Sequence, residues 1–270
     1  STITEPTTVS ATATNTSVLC NGGTTGSVTG LASGGTAPYD MSWSGPNTGD
    51  PAGDEINTDG GSYTVNGAPA GTYTITMTDG NGCVATTTTQ IIEPAGLTAS
   101  ALNTAVLCNA GSSGTVQGSA TGGTAPYNMS WTGPNTGNPA GDEINVYGGA
   151  YTVNGAPAGS YTITMTDGNG CTATTTTTVI EPLALSASAV STAAICNGSA
   201  DGTITVTATD GTAPYNVSWT GQSSGDPIGD EIASSGANYL ISSLNPGSYT
   251  ITVTDANGCT TQTTSTVTQP

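Results

Sequence analysis

The stretch YTITMTDGNGC occupies residues 73–83 and returns unchanged at 161–171, and a third copy with two changes, YTITVTDANGC, stands at 249–259. The three copies begin 88 residues apart. Cys20, Cys108 and Cys196 keep the same spacing, as do Trp43, Trp131 and Trp219, and Cys83, Cys171 and Cys259. A period of this kind constrains the fold more than any local pattern, because each period must be one structural unit. Glu-Pro closes two units at Pro94 and Pro182, and Gln-Pro closes the third at Pro270. The units are therefore expected at 7–94, 95–182 and 183–270. The opening STITEP matches the unit tails TTQIIEP and TTTVIEP, so residues 1–6 read as the tail of a preceding repeat and the chain as a window on a longer array.

Eighty-eight residues is too long for one solenoid coil and suits a small β-sandwich. The repeated stretch alternates: Tyr73, Ile75 and Met77 share one face, and Thr72, Thr74, Thr76 and Thr78 the other, the pattern of a half-buried strand. PYDMSW places Tyr39, Met41 and Trp43 together, and TITVTA does the same for Ile204, Val206 and Ala208. Thr-rich tails such as CVATTTTQII supply a further strand, with turn signals SGGTAP, DGNG, GAPAG and NPG between. The fold class expected is all-β: three tandem immunoglobulin-like β-sandwich domains. Tyr73, Tyr161 and Tyr249 each follow a Pro-Gly-type bend at a strand start, the position of a tyrosine corner. Trp43, Trp131 and Trp219 read as core tryptophans on a central strand near a disulfide. For both sets the plainer reading is an ordinary core aromatic.

The chain carries 18 acidic residues and no Lys, Arg or His, a net charge of −18. Without cations it has nothing to neutralise phosphate, which excludes nucleic-acid partners, and anionic membrane surfaces repel it. No apolar run is long enough for direct membrane insertion. Cys20, Cys83, Cys108, Cys171, Cys196 and Cys259 fall two per unit, and the six allow 15 full pairings. The even count favours one bridge inside each unit and an oxidising, extracellular compartment. Closing a loop of 63 residues would contribute about 4 kcal/mol in the chain-entropy model. A bridge between units, such as Cys83 to Cys108, stays open as an alternative and would count against the unit boundaries.

Cys-Asn-Gly at 196–198, Thr-Ala-Pro-Tyr at 212–215, Trp219, the run from Pro246 to Cys259 and Gln269-Pro270 together resemble the SprB-type repeat. The first two units carry the Gly-Gly-Thr-Ala-Pro-Tyr form at 34–39 and 122–127, where the third has Asp210-Gly211. The resemblance implies a segment of a very large cell-surface adhesin of Bacteroidetes, exported by the type IX secretion system and in some cases serving gliding. It brings no catalytic residues. The segment GPNTGDPAGDEINTDGGSYTVNGAPA departs from the pattern and reads as an enlarged loop or an added hairpin.

The residue inventory points away from an enzyme. His and Lys, the usual acid–base groups near neutral pH, are absent. Adjacent Asp54-Glu55, Asp142-Glu143 and Asp230-Glu231 would point to opposite faces of an extended chain rather than across one cleft. As oxygen donors the acids fit a structural Ca²⁺ better: Asp50, Asp54 and Glu55; Asn138, Asp142 and Glu143; and Asp226, Asp230 and Glu231. The alternative is a solvated acidic loop. Asp79, Asp167 and Asp255 could join as ligands or simply cap their own turns. No other cofactor is indicated. Sequons at Asn15, Asn128, Asn197 and Asn216 read as coincidence. Without Lys, no isopeptide brace can form and trypsin has nothing to cut.

These readings favour a non-enzymatic stalk that projects a binding region for attachment or gliding, with adjacent repeats as its partners and the cell-surface or glycan ligand outside this segment. Near-linkerless Glu-Pro joints would hold the units in a semi-rigid line, each adding about 40 Å. One alternative is a structural subunit of a multi-chain filament or hook-like appendage with homo-oligomeric lateral packing. Another is a glycan-binding module with exposed Tyr147 as its best candidate, although Asp59 and Ser235 stand at the equivalent positions.

Overall fold

Strands form where the sequence alternates, and turns form at the Gly- and Pro-rich words between them. The structure, a computed structural model, describes residues 5–50, 55–137, 144–226 and 232–270. Its first six strands are β1 (Ser10–Thr16), β2 (Gly26–Ser33), β3 (Tyr39–Ser44), β4 (Ser62–Ala68), β5 (Gly71–Asp79) and β6 (Val84–Ile91). The second six are β7 (Thr98–Thr104), β8 (Gly114–Thr121), β9 (Tyr127–Thr132), β10 (Ala150–Ala156), β11 (Gly159–Asp167) and β12 (Thr172–Val179). The third six are β13 (Ser186–Thr192), β14 (Gly202–Thr209), β15 (Tyr215–Thr220), β16 (Asn238–Leu244), β17 (Gly247–Asp255) and β18 (Thr260–Val267). In the first set, sheet β1-β2-β4 lies against sheet β3-β5-β6, and the other two sets repeat this order. All pairings are antiparallel. The fold is an immunoglobulin-like sandwich: first, second and fourth strands in one sheet, third, fifth and sixth in the other, as in the A-B-E and C-F-G sheets of that architecture.

Each sandwich has its own core. In the first, Val28, Met41, Val65, Tyr73, Ile75, Met77 and Ile91 are buried together. In the third, Ile204, Val206 and Ala208 on β14 meet Val217, Ile251 and Val253. The tyrosine corner is present three times: the hydroxyls of Tyr73, Tyr161 and Tyr249 donate to the carbonyls of Pro69, Pro157 and Asn245 at 3.1, 3.0 and 2.9 Å. Burial raises the Tyr73 and Tyr161 phenols above their ordinary pKa.

Trp131 is a buried member of its core and Trp43 and Trp219 pack against theirs, but the expected central strand and neighbouring disulfide need correction. β3 is an edge strand, since β5 is the centre of its sheet, and each Trp packs beneath its own following loop rather than beside a disulfide. Gly49 exchanges backbone hydrogen bonds with Trp43, and Ile56 does the same with Tyr39. The departing segment thus touches the edge of β3 at residues 49 and 56, which shields that edge from pairing with another chain, and its second half forms β4 of the opposite sheet. A Cβ on Gly49 would fall 2.2 Å from the Trp43 ring, so the segment can pass over the indole only as glycine.

The two ends of each sandwich have different loops. The β1–β2 loop, with Cys20, lies where β6 finishes: the Val18 N–H donates to the Ile92 carbonyl. The β5–β6 turn, with Cys83, lies at the other end beside the β2–β3 loop, where the Gly80 N–H donates to Thr36. The eight-residue β2 separates these ends by about 25 Å. A bridge needs Cα atoms within about 7 Å, so Cys20 and Cys83 of one sandwich cannot meet. The intra-unit pairing expected from the even count is therefore incorrect.

Candidate functional site at the inter-repeat joint

The cysteines pair between sandwiches. Cys20 of the first is bonded to Cys171 of the second, and Cys108 of the second to Cys259 of the third, with Cα separations of 5.7 and 5.6 Å. Cys83 and Cys196 are unpaired and exposed. The bridges staple the end of one sandwich to the start of the next without exchanging strands.

The turn that presents the second cysteine is built around a buried aspartate. Asp167 accepts the N–H groups of Asn169 and Cys171 on one oxygen and that of Thr124 on the other, at 3.0, 2.8 and 2.9 Å. Asp79 and Asp255 make the same three bonds in their own sandwiches. The Cys83 N–H, against the upward push of burial and helped by those of Thr36 and Asn81, holds the Asp79 carboxyl below its ordinary pKa. Of the two readings of these aspartates, turn cap and metal ligand, the first describes their bonding. With the turn fixed, Asn169 reaches across the joint. Its side-chain amide donates to the Leu19 carbonyl of the preceding sandwich at 3.0 Å, and to Thr124 at 3.0 Å in its own. Asn257 makes the matching pair to Leu107 and Thr212.

On the other side, the Cys-Asn-Gly loop is tied to the chain that leaves its own sandwich. Asn21 donates to the Pro94 carbonyl at 3.1 Å, and the Gly22 N–H to Glu93 Oε2 at 2.6 Å. Asn109 and Ala110 repeat this with Pro182 and Glu181. One residue past the proline, the Ala95 carbonyl accepts the Gly123 N–H of the second sandwich at 2.8 Å. Leu183 does the same for Gly211. Adjacent carbonyls are thus held by different sandwiches, and no slack remains between them. The second glycine of each Gly-Gly pair serves this contact; both positions take a positive φ, which Asp210 also adopts at the first, at 61°.

The first three strands of a unit, with the Cys-Asn-Gly loop between β1 and β2, are the part that the family comparison picks out. Residues 12–48 and 188–224 match the SprB repeat. The two SprB-matched stretches lie two periods apart, and each holds the first cysteine of its unit, Cys20 in one and Cys196 in the other. No curated protein matches the sequence. Among solved structures, a chain described as structural insight into host cell surface retention of a 1.5-MDa bacterial ice-binding adhesin is similar at 17% identity and a TM-score of 0.42, covering 98% of both chains. The I-band fragment I67–I69 of titin is similar at 15% identity and a TM-score of 0.41, covering 99% of this chain and 100% of that one. A tetra-tandem repeat from the extending region of a large adhesion protein has 15% identity and a TM-score of 0.32, covering 97% and 74%.

The candidate Ca²⁺ ligands divide. Asp54, Asn138, Asp142, Glu143, Asp230 and Glu231 lie outside the described residues; Asp50, Glu55 and Asp226 are exposed. Among the described residues there is no cluster of three acidic or thiol groups able to hold a metal. Tyr147 is exposed on its turn, whereas Asp59 and Ser235 at the equivalent positions accept the N–H groups of Gly34 and Asp210. What the sequence did not disclose is the partnership of Asn169 with Leu19. The signal was there in part: Asn-Gly precedes every second cysteine, and Asn follows every first.

Proposed function

We propose that the chain is a tension-carrying segment of the repetitive stalk of an extracellular cell-surface adhesin. We take residues 7–94, 95–182 and 183–270 as its units, with residues 1–6 as the tail of a preceding one. The observation that carries the reading is the overlap of the two bridges. The Cys20–Cys171 loop and the Cys108–Cys259 loop share residues 108–171, so the shortest covalent path from Ser1 to Pro270 crosses both bridges and bypasses most of the chain. In a chain linked in this way the bridges cap the extension under load even when its sandwiches open. That property serves a projecting stalk and has no evident use in a catalyst. Two disulfides support an oxidising compartment, and the SprB match supports a surface protein. The acidic, cation-free surface suits a rod that must not adhere along its own length.

The reading is tested by immunogold labelling of producing cells with antibodies raised against residues 95–182. Label along thin fibres outside the cell supports a stalk. Label confined to the cell interior sinks it, and label on thick bundles of many chains transfers the reading to a filament subunit.

A further inference from the structure

The amide that crosses each joint belongs to an Asn-Gly pair, a dipeptide in which the peptide nitrogen of glycine can attack the asparagine side chain. Asn169 reaches the Leu19 carbonyl, and Gly170 behind it takes a φ of 84° that turns the chain toward Cys171. Asn257 and Gly258, also at 84°, repeat this against Leu107. A Cβ at either glycine would meet nothing within 4 Å, so the left-handed φ and not crowding calls for glycine. The joint thus needs an amide donor at one position and a left-handed residue at the next. Together these needs spell the dipeptide, and all four residues are exposed to water. Hydrogen bonds hold the reacting groups apart. Asn169 Nδ2 donates to the Leu19 carbonyl and to Thr124 Oγ1, both at 3.0 Å, and the Asn169 N–H donates to the Asp167 carboxylate at 3.0 Å. The Gly170 N–H donates to the Asp167 carbonyl at 2.9 Å. Leu107, Thr212 and Asp255 hold Asn257 and Gly258 in the same way.

We propose that Asn169 and Asn257 are sites of spontaneous deamidation, guarded while a joint is closed and released when it opens. In the open joint the Asn169 side chain loses the Leu19 carbonyl and turns until Cγ meets the Gly170 nitrogen. That nitrogen gives up its proton and attacks Cγ. The new N–C bond closes a succinimide ring, the Cγ–Nδ2 bond breaks, and ammonia leaves with the proton. Water then adds to one of the two ring carbonyls and opens the ring. Addition at Cγ yields aspartate, and addition at the main-chain carbon yields isoaspartate, whose backbone runs through Cγ. The sum is amide plus water going to carboxylate plus ammonium, with no oxidant and no second protein. Either product keeps the joint from closing as before. A carboxylate has no hydrogen to donate, so it sets an acceptor against the Leu19 carbonyl. Isoaspartate also lengthens the main chain between Asp167 and Cys171, which disturbs the Cys171 N–H bond to Asp167 and the narrow Cα separation that a bridge needs. The modification is a permanent record that a joint has opened, and it holds whether or not the chain serves as a stalk.

The test incubates the whole chain in mildly alkaline buffer, once with both bridges intact and once with them reduced and all thiols blocked. Peptide mapping with a protease other than trypsin follows each asparagine by mass spectrometry. Asn66-Gly67 and Asn154-Gly155, on β4 and β10, carry the same dipeptide inside the sandwiches, and Asn109-Ala110 carries a hindering Cβ beside a joint. Deamidation of Asn169 and Asn257 should rise at least tenfold on reduction, while Asn66 and Asn154 keep their rates and Asn109 stays unmodified. Equal rates for Asn169 in the bridged and reduced chains would overturn the proposal. So would a rise shared by Asn66 and Asn154, which would assign the effect to opening of the sandwiches. The consequence is read separately with Asn169→Asp in the oxidised chain. Glutathione should reduce the Cys20–Cys171 bridge of that variant severalfold faster than in the unmodified chain, with Cys108–Cys259 unchanged as the internal reference. A Cys20–Cys171 bridge as resistant as before would show that the joint tolerates the product, and would overturn the claim that opening leaves a lasting mark on it.

Discussion

Glu93 accepts the backbone N–H of Gly22 at 2.6 Å, and that bond ties the residue before the joint proline to the loop that carries Cys20. Glu181 holds Ala110 in the same way, and Gln269 holds Gly198 with an amide oxygen at 2.8 Å. A carboxylate is therefore not required, only an acceptor of that length. Glu93→Ala and Glu181→Ala should each cost about 0.5–1 kcal/mol locally, because the bond is exposed to solvent. Hydrogen exchange of the Gly22 or Ala110 amide should quicken severalfold in the corresponding alanine variant and stay near normal with Gln. Equal acceleration by Ala and Gln would mean that charge, not the hydrogen bond, fixes the loop.

Reduction should separate the behaviour of the joints from that of the sandwiches. Each core is made of residues from its own six strands, so breaking both bridges should leave the far-ultraviolet circular dichroism spectrum unchanged. Under force the outcome differs. The oxidised chain can extend only along Ser1 to Cys20, back from Cys171 to Cys108, and on from Cys259 to Pro270. Its final contour should be about a third of that of the reduced chain, whose residues each contribute up to about 3.5 Å. Single-molecule pulling between the termini reads this directly, and a full-length contour under oxidising conditions would rule out the bridges.

The sandwich was legible because its signals are local. Alternation at Tyr73, Ile75 and Met77 sets a buried face, and Pro-Gly before a tyrosine sets the corner. The joint was not legible, because it depends on which loop lies at which end. The sequence places Cys20 and Cys83 in one period, and period counting groups them. Only the direction of β2, carrying one loop away from the other, shows that Cys20 must find its partner in the neighbouring sandwich, where Cys171 supplies it. The aspartates were ambiguous for a related reason. Asp79 three residues ahead of Gly82 suits a turn cap or an oxygen ligand equally well until its three N–H donors are seen.

Asp79 also predicts how the head turn responds to acid. Its carboxyl lies below its ordinary pKa because the Cys83 N–H and two others bond the charged form, which outweighs burial. A lowered folded value means that the charged form stabilises the fold. That contribution is complete above the unfolded value of about 3.9 and is lost as pH falls through the lower folded value. The turn should therefore be insensitive to pH from neutrality down to about pH 5 and weaken progressively as pH falls below about 4. Asp79→Asn should weaken it already at pH 7, because its NH₂ faces either the Thr36 N–H or those of Asn81 and Cys83, and should flatten the acid response. Exchange of the Cys83 amide as a function of pH measures both effects. An Asn variant that keeps the wild-type acid transition would place the titrating group elsewhere.

The three cores solve one packing problem in two ways, which gives the sharpest test of what specifies them. Gly30 sits at the middle of β2, and a Cβ there would lie 2.5 Å from Met77 Cε and 2.7 Å from Met41 Sδ. In the third sandwich the equivalent residue is Val206, fully buried, and the two methionines are replaced by Val217 and Val253. Volume removed from the methionine positions has been returned at the glycine position. Gly30→Val alone should therefore overpack the first core and cost about 1–3 kcal/mol. Met41→Val with Met77→Val should destabilise it too, by leaving a void beside Gly30. The triple variant should approach wild-type stability, since valine fills that void and β-branched residues suit a strand interior. The coupling between glycine and methionine positions should then fall within about 0.5–3 kcal/mol, as expected for residues in contact. Exchange of the β2 and β5 amides in the full chain confines the readout to the first sandwich, where a global unfolding curve would blend three similar transitions. If the triple variant is as unstable as the sum of its parts, the third core owes its valines to some other constraint than volume.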